Sequence, residues 1–140
     1  MDDTATADGT DLMRELIPDS PLVRHLGIEV VDLDDGHGVL RLPFRDEVVT
    51  IGRIVHGGAI AALIDTAAMA AAWAGAEVPE SLRGATVGLT VHYLAAVDGR
   101  TVTATADVVR RGRRLVTVHV DAHADDATHV ATSLVTYQLG

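Results

Sequence analysis

The chain has 140 residues, of which 48% are hydrophobic and 22% charged, a balance that fits one globular domain with an apolar core. Its formal net charge of −9 argues against nucleic-acid binding, and the lack of cysteine excludes disulfides, thiolate metal sites and a cysteine nucleophile. The acidic N-terminus does not resemble a signal peptide, and Asp65 interrupts the one long apolar run. We therefore expect a cytoplasmic protein that binds neither nucleic acid nor membrane.

Helical and extended patterns alternate in the first half of the chain. Asp34-Asp35-Gly36 is typical of a tight turn between two strands. Residues 58–74 are apolar around most of the helical circumference, which predicts a helix buried on most sides. The predicted elements are, in order, a disordered tail at 1–11, a helix at 11–17, a helical turn at 22–26, strands at 28–33 and 38–44, a connector at 45–55 and a long helix at 58–74.

The second half of the chain predicts four strands of alternating pattern. On the first of them, one face carries Val87, Leu89, Val91 and Tyr93. Asp98-Gly99 predicts a hairpin between the first strand and the second. An antiparallel sheet must curl around an almost wholly apolar helix to cover it, so the expected architecture is α+β. The four predicted strands span 85–97, 101–110, 114–124 and 128–139.

Asp65 is the most informative residue of the long helix. An ionised carboxylate among Gly, Ala, Ile, Leu and Met side chains is costly unless it is paired or hydrogen-bonded. Acids in such surroundings cluster at functional sites, which favours a catalytic role. The alternative is a structural acid hydrogen-bonded within a dimer interface.

Three stretches carry a resemblance to a known family: His56-Gly57-Gly58 followed by Leu63-Ile64-Asp65, the strand at 86–94, and the basic hairpin at 108–115. Together they resemble the hotdog-fold acyl-CoA thioesterases, in particular the PaaI-like group, over residues 12–139. The resemblance implies a hotdog fold, in which a curled antiparallel sheet wraps around one central helix, as a single domain at 12–140. It also implies a homodimer, or a tetramer built as a dimer of dimers, with active sites between subunits.

The resemblance further implies hydrolysis of a small aromatic or short- or medium-chain acyl-CoA by water, with no cofactor and no metal. Asp65 would act as nucleophile or general base, and the Gly57 backbone amide would polarise the thioester carbonyl. Thr86 would position the water, unless it is an ordinary strand residue. His56 is a further catalytic candidate, although a role as a helix cap is favoured.

The same family comparison suggests where the substrate is bound. Thr50 stands where the family often carries Asn or Gln near the thioester, and a threonine reaches less far and offers no amide. Glycine at position 58 would let a ligand approach the helix start closely. The basic hairpin would lie near the CoA phosphates, because arginine pairs well with phosphate. Its candidate residues are Arg110, Arg111, Gly112, Arg113 and Arg114.

Helix geometry separates the two principal candidates. Gly57 and Asp65 are eight residues apart, which places them about 12 Å apart along the axis and roughly 80° apart around it. One small reacting group cannot easily touch both within one chain, so the acid of one subunit should meet the helix start of another. The alternatives to a thioesterase are a hotdog hydratase or dehydratase and a non-catalytic acyl-CoA-binding protein.

One strand carries a pattern that superficially resembles a metal site. His119, Asp121 and His123 alternate along it, so their side chains share a face. No other residues support a metal there, and a solvent-facing strand is the favoured interpretation.

Overall fold

The computed structural model of the protein describes residues 7–140, and in it a six-stranded antiparallel sheet curls around one long helix. The predicted α+β architecture is therefore confirmed. A short 3-10 turn at Asp46–Val48 precedes the small two-stranded sheet that replaces the predicted connector. The elements are α1 (Gly9–Asp19), α2 (Pro21–Leu26), β1 (Glu29–Asp34), β2 (His37–Leu42), β3 (Val49–Ile51), β4 (Ile54–Val55), α3 (Gly57–Trp73), β5 (Ala85–Tyr93), β6 (Val102–Arg111), β7 (Leu115–Ala124) and β8 (His129–Gln138).

The predicted tail at 1–11 overlaps the first helix. Residues 1–6 lie outside the described residues, whereas Gly9 already belongs to α1. The carboxylate of Asp8 caps this helix by accepting a hydrogen bond from the Thr10 N–H at 2.9 Å. An Asp cap satisfies a backbone donor that would otherwise lack a partner, so the first helix begins further toward the N-terminus than hydrophobic spacing predicts.

Helix α3 forms the centre of the core, as its composition predicts. Ten of its 17 residues are buried, and it packs against all six strands of the large sheet. Near its end, the indole N–H of Trp73 donates a 3.0 Å hydrogen bond to the hydroxyl of Tyr137 on β8. This buried contact ties α3 to the sheet. No helix among residues 7–140 is both long and apolar enough to cross a lipid bilayer.

The hairpin predicted at Asp98-Gly99 is wrong. The strand order is β1-β2-β6-β7-β8-β5, so β5 and β6 are not neighbours. The Gly99 N–H instead donates to the Arg53 carbonyl at 2.9 Å, and Asp98 forms an isolated bridge with Ile54. The turn residues thus bind the β3–β4 loop, while the chain passes from β5 at the sheet edge to β6, which lies between β2 and β7. As a result, β5 is an edge strand that pairs only with β8 within the described residues.

The inner face of β5, which is turned toward α3, carries Leu89 and Val91. Their partners on β8 are the buried Val135 and Ser133, so the shared face predicted for these residues is confirmed. Val87 is an exception, because it is the extra residue of a bulge in β5 and is exposed. Even Leu89 remains 39% exposed, since it lies on the uncovered edge of the sheet.

Candidate active site

Asp65 and Thr86 meet between α3 and β5. The Thr86 hydroxyl donates a hydrogen bond to Asp65 Oδ1 at 2.6 Å, a length typical of a hydroxyl bound to a charged carboxylate. Asp65 is partly exposed and Thr86 is exposed, so a ligand can reach both. The hydroxyl fixes one carboxylate oxygen and leaves the other oxygen available to a reacting group.

A β-bulge is responsible for this contact. Strict alternation from Leu89 would turn Thr86 away from the helix, but one extra residue, Val87, is inserted before Gly88. Thr86 consequently pairs with the buried Tyr137 and lies on the inner face. The sequence shows the threonine but not the bulge that directs it.

Tyr137 and Trp73 lie behind the Asp65–Thr86 pair. Burial raises the pKa of Tyr137, the hydrogen bond from Trp73 opposes that rise, and the nearby charge of Asp65 adds to it. Tyr137 therefore remains a neutral phenol in the physiological range. Thr86, which binds the Asp65 carboxylate, is the cross-strand partner of Tyr137, so the carboxylate lies beside this aromatic pair.

The start of α3 presents a backbone amide. His56 caps the helix, and its Nδ1 accepts a hydrogen bond from the Gly58 N–H at 2.7 Å. The Gly57 N–H has no protein hydrogen-bond partner among residues 7–140. A free amide at a helix N-terminus suits a developing oxyanion. His56 therefore has the helix-capping role that the sequence favours.

Tyr93 is a site residue that sequence analysis missed. Its hydroxyl donates to the Gly57 carbonyl at 2.6 Å, and both residues line a cavity of about 350 Å³ beside the helix start. The only signal in the sequence is an aromatic residue at the end of a strand. Tyr93 fixes the peptide plane that follows the Gly57 Cα, so it helps to hold the helix start in position.

Gly58 and Thr50 are the two remaining candidates on the N-terminal side of Asp65. A Cβ on Gly58 would lie 2.9 Å from the His56 ring, so glycine is needed here to preserve the cap. Thr50 lies exposed on β3, in the small sheet that leads into α3.

The basic hairpin divides into one structural arginine and three outward residues. The guanidinium of Arg111 donates to the carbonyls of Ala72 at 2.7 Å and Ala74 at 3.3 Å, at the C-terminal end of α3. A bulge that contains Val109 turns Arg111 inward in the same way that the β5 bulge turns Thr86 inward. The outward residues Arg110, Arg113 and Arg114 line, together with Gly112, a groove of about 620 Å³.

Within one protomer, this groove and Asp65 lie on opposite faces of the sheet. Arg110 pairs with Thr117, which pairs with Thr136, which pairs with Gly88 at the sheet edge. Three strand spacings, or about 14 Å, separate the two ends of that row. A ligand that contacts both the groove and Asp65 would therefore have to pass around the end of the sheet, where residues 112–114 form the turn between β6 and β7.

The histidines of β7 join an outer-face cluster around Asp121. His129 Nε2 lies 2.8 Å from Asp121 Oδ1, and His119 Nε2 lies 3.6 Å from Oδ2. His123 instead stacks on His129, with ring centroids 4.6 Å apart. Partial burial raises the pKa of Asp121, but hydrogen bonds from His129 and Thr132, together with the two histidine charges, outweigh burial and lower it overall.

Residues 52–131 match the family described as Thioesterase superfamily. A Halobacterium salinarum protein that is provisionally named an esterase is 36% identical over 108 residues, which cover 75% of this chain and 71% of that protein. The medium/long-chain acyl-CoA thioesterase YigI of Salmonella typhimurium is 28% identical over 135 residues, covering 86% of each chain. The PaaI protein of Escherichia coli, from the phenylacetic acid degradation operon, superposes with a TM-score of 0.80 at 21% identity over 94% of both chains. The last likeness shows the fold, and the predicted hotdog fold is confirmed.

Proposed function

Because the chain belongs to the thioesterase superfamily, which confirms the predicted enzyme class, we propose that it hydrolyses acyl-CoA thioesters with Asp65 as general base or nucleophile. The observation that carries this proposal is the hydrogen bond from Thr86 to an accessible carboxylate on an otherwise apolar helix. The acyl-CoA thioesterase named YigI among the relatives supports the substrate class.

The reaction consumes one water and no other co-reactant. When Asp65 acts as base, its free oxygen accepts a proton as the water oxygen bonds to the thioester carbon. The carbon–sulfur bond then breaks, and the sulfur leaves with the proton as free CoA thiol. When Asp65 acts as nucleophile, its oxygen displaces the CoA thiolate from the carbonyl carbon to give a mixed anhydride. Water then hydrolyses the anhydride, and the proton released by that step is taken up by the thiolate, so the products are the same. In both cases the charge that develops on the carbonyl oxygen is stabilised by the Gly57 N–H.

The proposed site combines two copies of the chain. Thr86 holds Asp65 at one end of β5, while Tyr93 holds Gly57 at the other end. A two-fold axis through the middle of β5 would pair two exposed edges in antiparallel fashion. The Asp65 end of one copy would then lie beside the Gly57 end of the other, which resolves the separation of about 12 Å between these residues on one helix.

The CoA phosphates are assigned to the outward arginines of the hairpin. The groove lined by Arg110, Arg113 and Arg114 is large enough to hold a phosphate group, and guanidinium groups bind phosphate well. Arg111 is not given this role, because its donors are already directed at the carbonyls of Ala72 and Ala74.

The test is release of free thiol from acetyl-, hexanoyl-, decanoyl- and phenylacetyl-CoA. We expect Asp65→Asn to lower kcat at least about 100-fold, which is typical for loss of a general base. Thr86→Val should give an intermediate loss, and Asp19→Asn, an identical change on exposed α1, should have no effect. Unchanged turnover in Asp65→Asn would remove the carboxylate from the mechanism.

Two outcomes would instead favour the alternative functions. Tight CoA binding without turnover by the wild-type protein would favour a non-catalytic binding protein. Hydration of an enoyl-CoA without release of thiol would favour a hydratase.

A further inference from the structure

A second cavity, of about 200 Å³, lies beyond Asp65 along α3. It is bounded by α3, by α1 and by the segment that precedes β5. Most of the side chains that line it are apolar, and they include Leu12 and Leu16 of α1, Met69 of α3 and Leu82.

The cavity adjoins the Asp65–Thr86 pair through Met69 and Tyr137. Met69 follows Asp65 by four residues, so the two side chains lie on one face of α3 about 6 Å apart along the axis. On the sheet side, Tyr137 lines the cavity and is the direct cross-strand partner of Thr86. A group attached to a carbonyl carbon at Asp65 therefore has an apolar space directly beside it.

One wall of the cavity is formed by an aromatic pair. Trp73 and Tyr137 meet there edge to face, with ring centroids 6.3 Å apart and an interplanar angle of 73°. The Trp73 indole N–H donates a hydrogen bond to the Tyr137 hydroxyl oxygen at 3.0 Å. Near the opening, Leu16 is 38% exposed and Leu82 is 50% exposed, so an apolar occupant would cover both.

From this placement we infer that the cavity receives the acyl group of the substrate, and that it takes a phenyl ring or a chain of about six carbons. This inference rests on the proposed thioesterase function. Apolar cavities of about 150 Å³ in proteins bind benzene, so this volume accommodates one six-carbon ring with little room beyond it. Met69 and Leu16 are thus residues that determine acyl specificity.

The size of the cavity predicts how kcat/KM depends on acyl-chain length. Each methylene that enters the cavity should raise kcat/KM up to about fourfold, so hexanoyl-CoA should exceed acetyl-CoA by up to about 200-fold. Beyond about six carbons the gain should stop, because a cavity of about 200 Å³ holds no longer chain. Phenylacetyl-CoA should be hydrolysed about as well as hexanoyl-CoA.

Two opposite substitutions test the assignment. Met69→Trp fills the cavity and should lower kcat/KM for hexanoyl-CoA at least tenfold, while acetyl-CoA, which does not enter, stays within twofold of wild type. Leu16→Ala removes three carbons from the wall and should move the plateau two or three carbons toward longer chains. Leu22→Ala is the matched control, since Leu22 is 57% exposed on α2 and lies outside the cavity.

The outcomes separate this inference from the function on which it rests. If the wild-type protein hydrolyses no acyl-CoA, the proposed function fails. If thioesters are hydrolysed but neither variant alters the chain-length profile, the acyl assignment is wrong while the function stands. Equal loss on acetyl- and hexanoyl-CoA in Met69→Trp, together with an unmoved plateau in Leu16→Ala, would also overturn it.

Discussion

Replacing Arg111 by Met should destabilise the protein without weakening CoA binding. The substitution keeps an unbranched apolar side chain but removes two hydrogen bonds to the carbonyls of Ala72 and Ala74, at the C-terminal end of α3. Hydrogen bonds from a charged group contribute about 1.5–3 kcal/mol, and a cation at a helix C-terminus adds about 0.3–1 kcal/mol. Since these hydrogen bonds are only partly buried, we take the lower part of that range and expect a loss of about 2 kcal/mol.

The assay is thermal unfolding followed by circular dichroism. For a chain of this size, a loss of about 2 kcal/mol corresponds to a fall in Tm of roughly 6–8 °C. The control is Arg113→Met, which makes the same change on the same hairpin at a side chain without a hydrogen-bond or ion-pair partner among residues 7–140. Its Tm should stay within about 1 °C, whereas its KM for acyl-CoA should rise and become less sensitive to salt. Both variants must be compared at one protein concentration, because association would also shift Tm.

An unchanged Tm for Arg111→Met, or an equal fall in Tm for Arg113→Met, would contradict this expectation. In either case the hydrogen bonds to α3 would not distinguish Arg111 from the rest of the hairpin. A rise in KM for Arg111→Met at unchanged Tm would return Arg111 to the phosphate-binding group.

Two further predictions concern His56 and Asp121. His56→Ala should remove the helix cap, which would cost about 1 kcal/mol, or roughly 3–4 °C in Tm. His56→Asn should restore both the cap and most of the activity. A loss of turnover of at least about 100-fold in both variants would instead indicate a general base. The pKa of Asp121 is lowered from 3.8 in the folded state, so its stabilising contribution is complete above that value and disappears as the pH falls through the lower folded value. The Tm difference between wild type and Asp121→Asn should therefore shrink as the pH falls below about 4, and a difference that grows over that range would contradict this sign.

The strongest signals in the sequence were local. The apolar circumference of residues 58–74 predicted a buried central helix, and α3 runs from Gly57 to Trp73. Asp65 stood out because no other residue of that helix is charged. Alternation predicted the face of β5 that carries Leu89 and Val91, because neighbouring residues on a strand necessarily point to opposite sides.

Other features depended on which distant segments pair. A turn dipeptide such as Asp98-Gly99 specifies a local backbone conformation, but it does not specify which strands lie on either side of it. Here it binds the β3–β4 loop, and β5 lies at the sheet edge. That position leaves β5 available to a second copy, which is the basis of the proposed shared site.

The Asp65–Thr86 pair shows both contributions. Asp65 is the single acid of an apolar helix, and the sequence alone is enough to identify it. Two bulges decide that Thr86 binds Asp65 and that Arg111 points inward while Arg110 points outward. Each bulge inserts one residue and reverses the face of the residues beyond it. Alternation alone would have turned Thr86 and Arg111 outward. Only the register between strands far apart in the chain directs one to the carboxylate and the other to the end of α3.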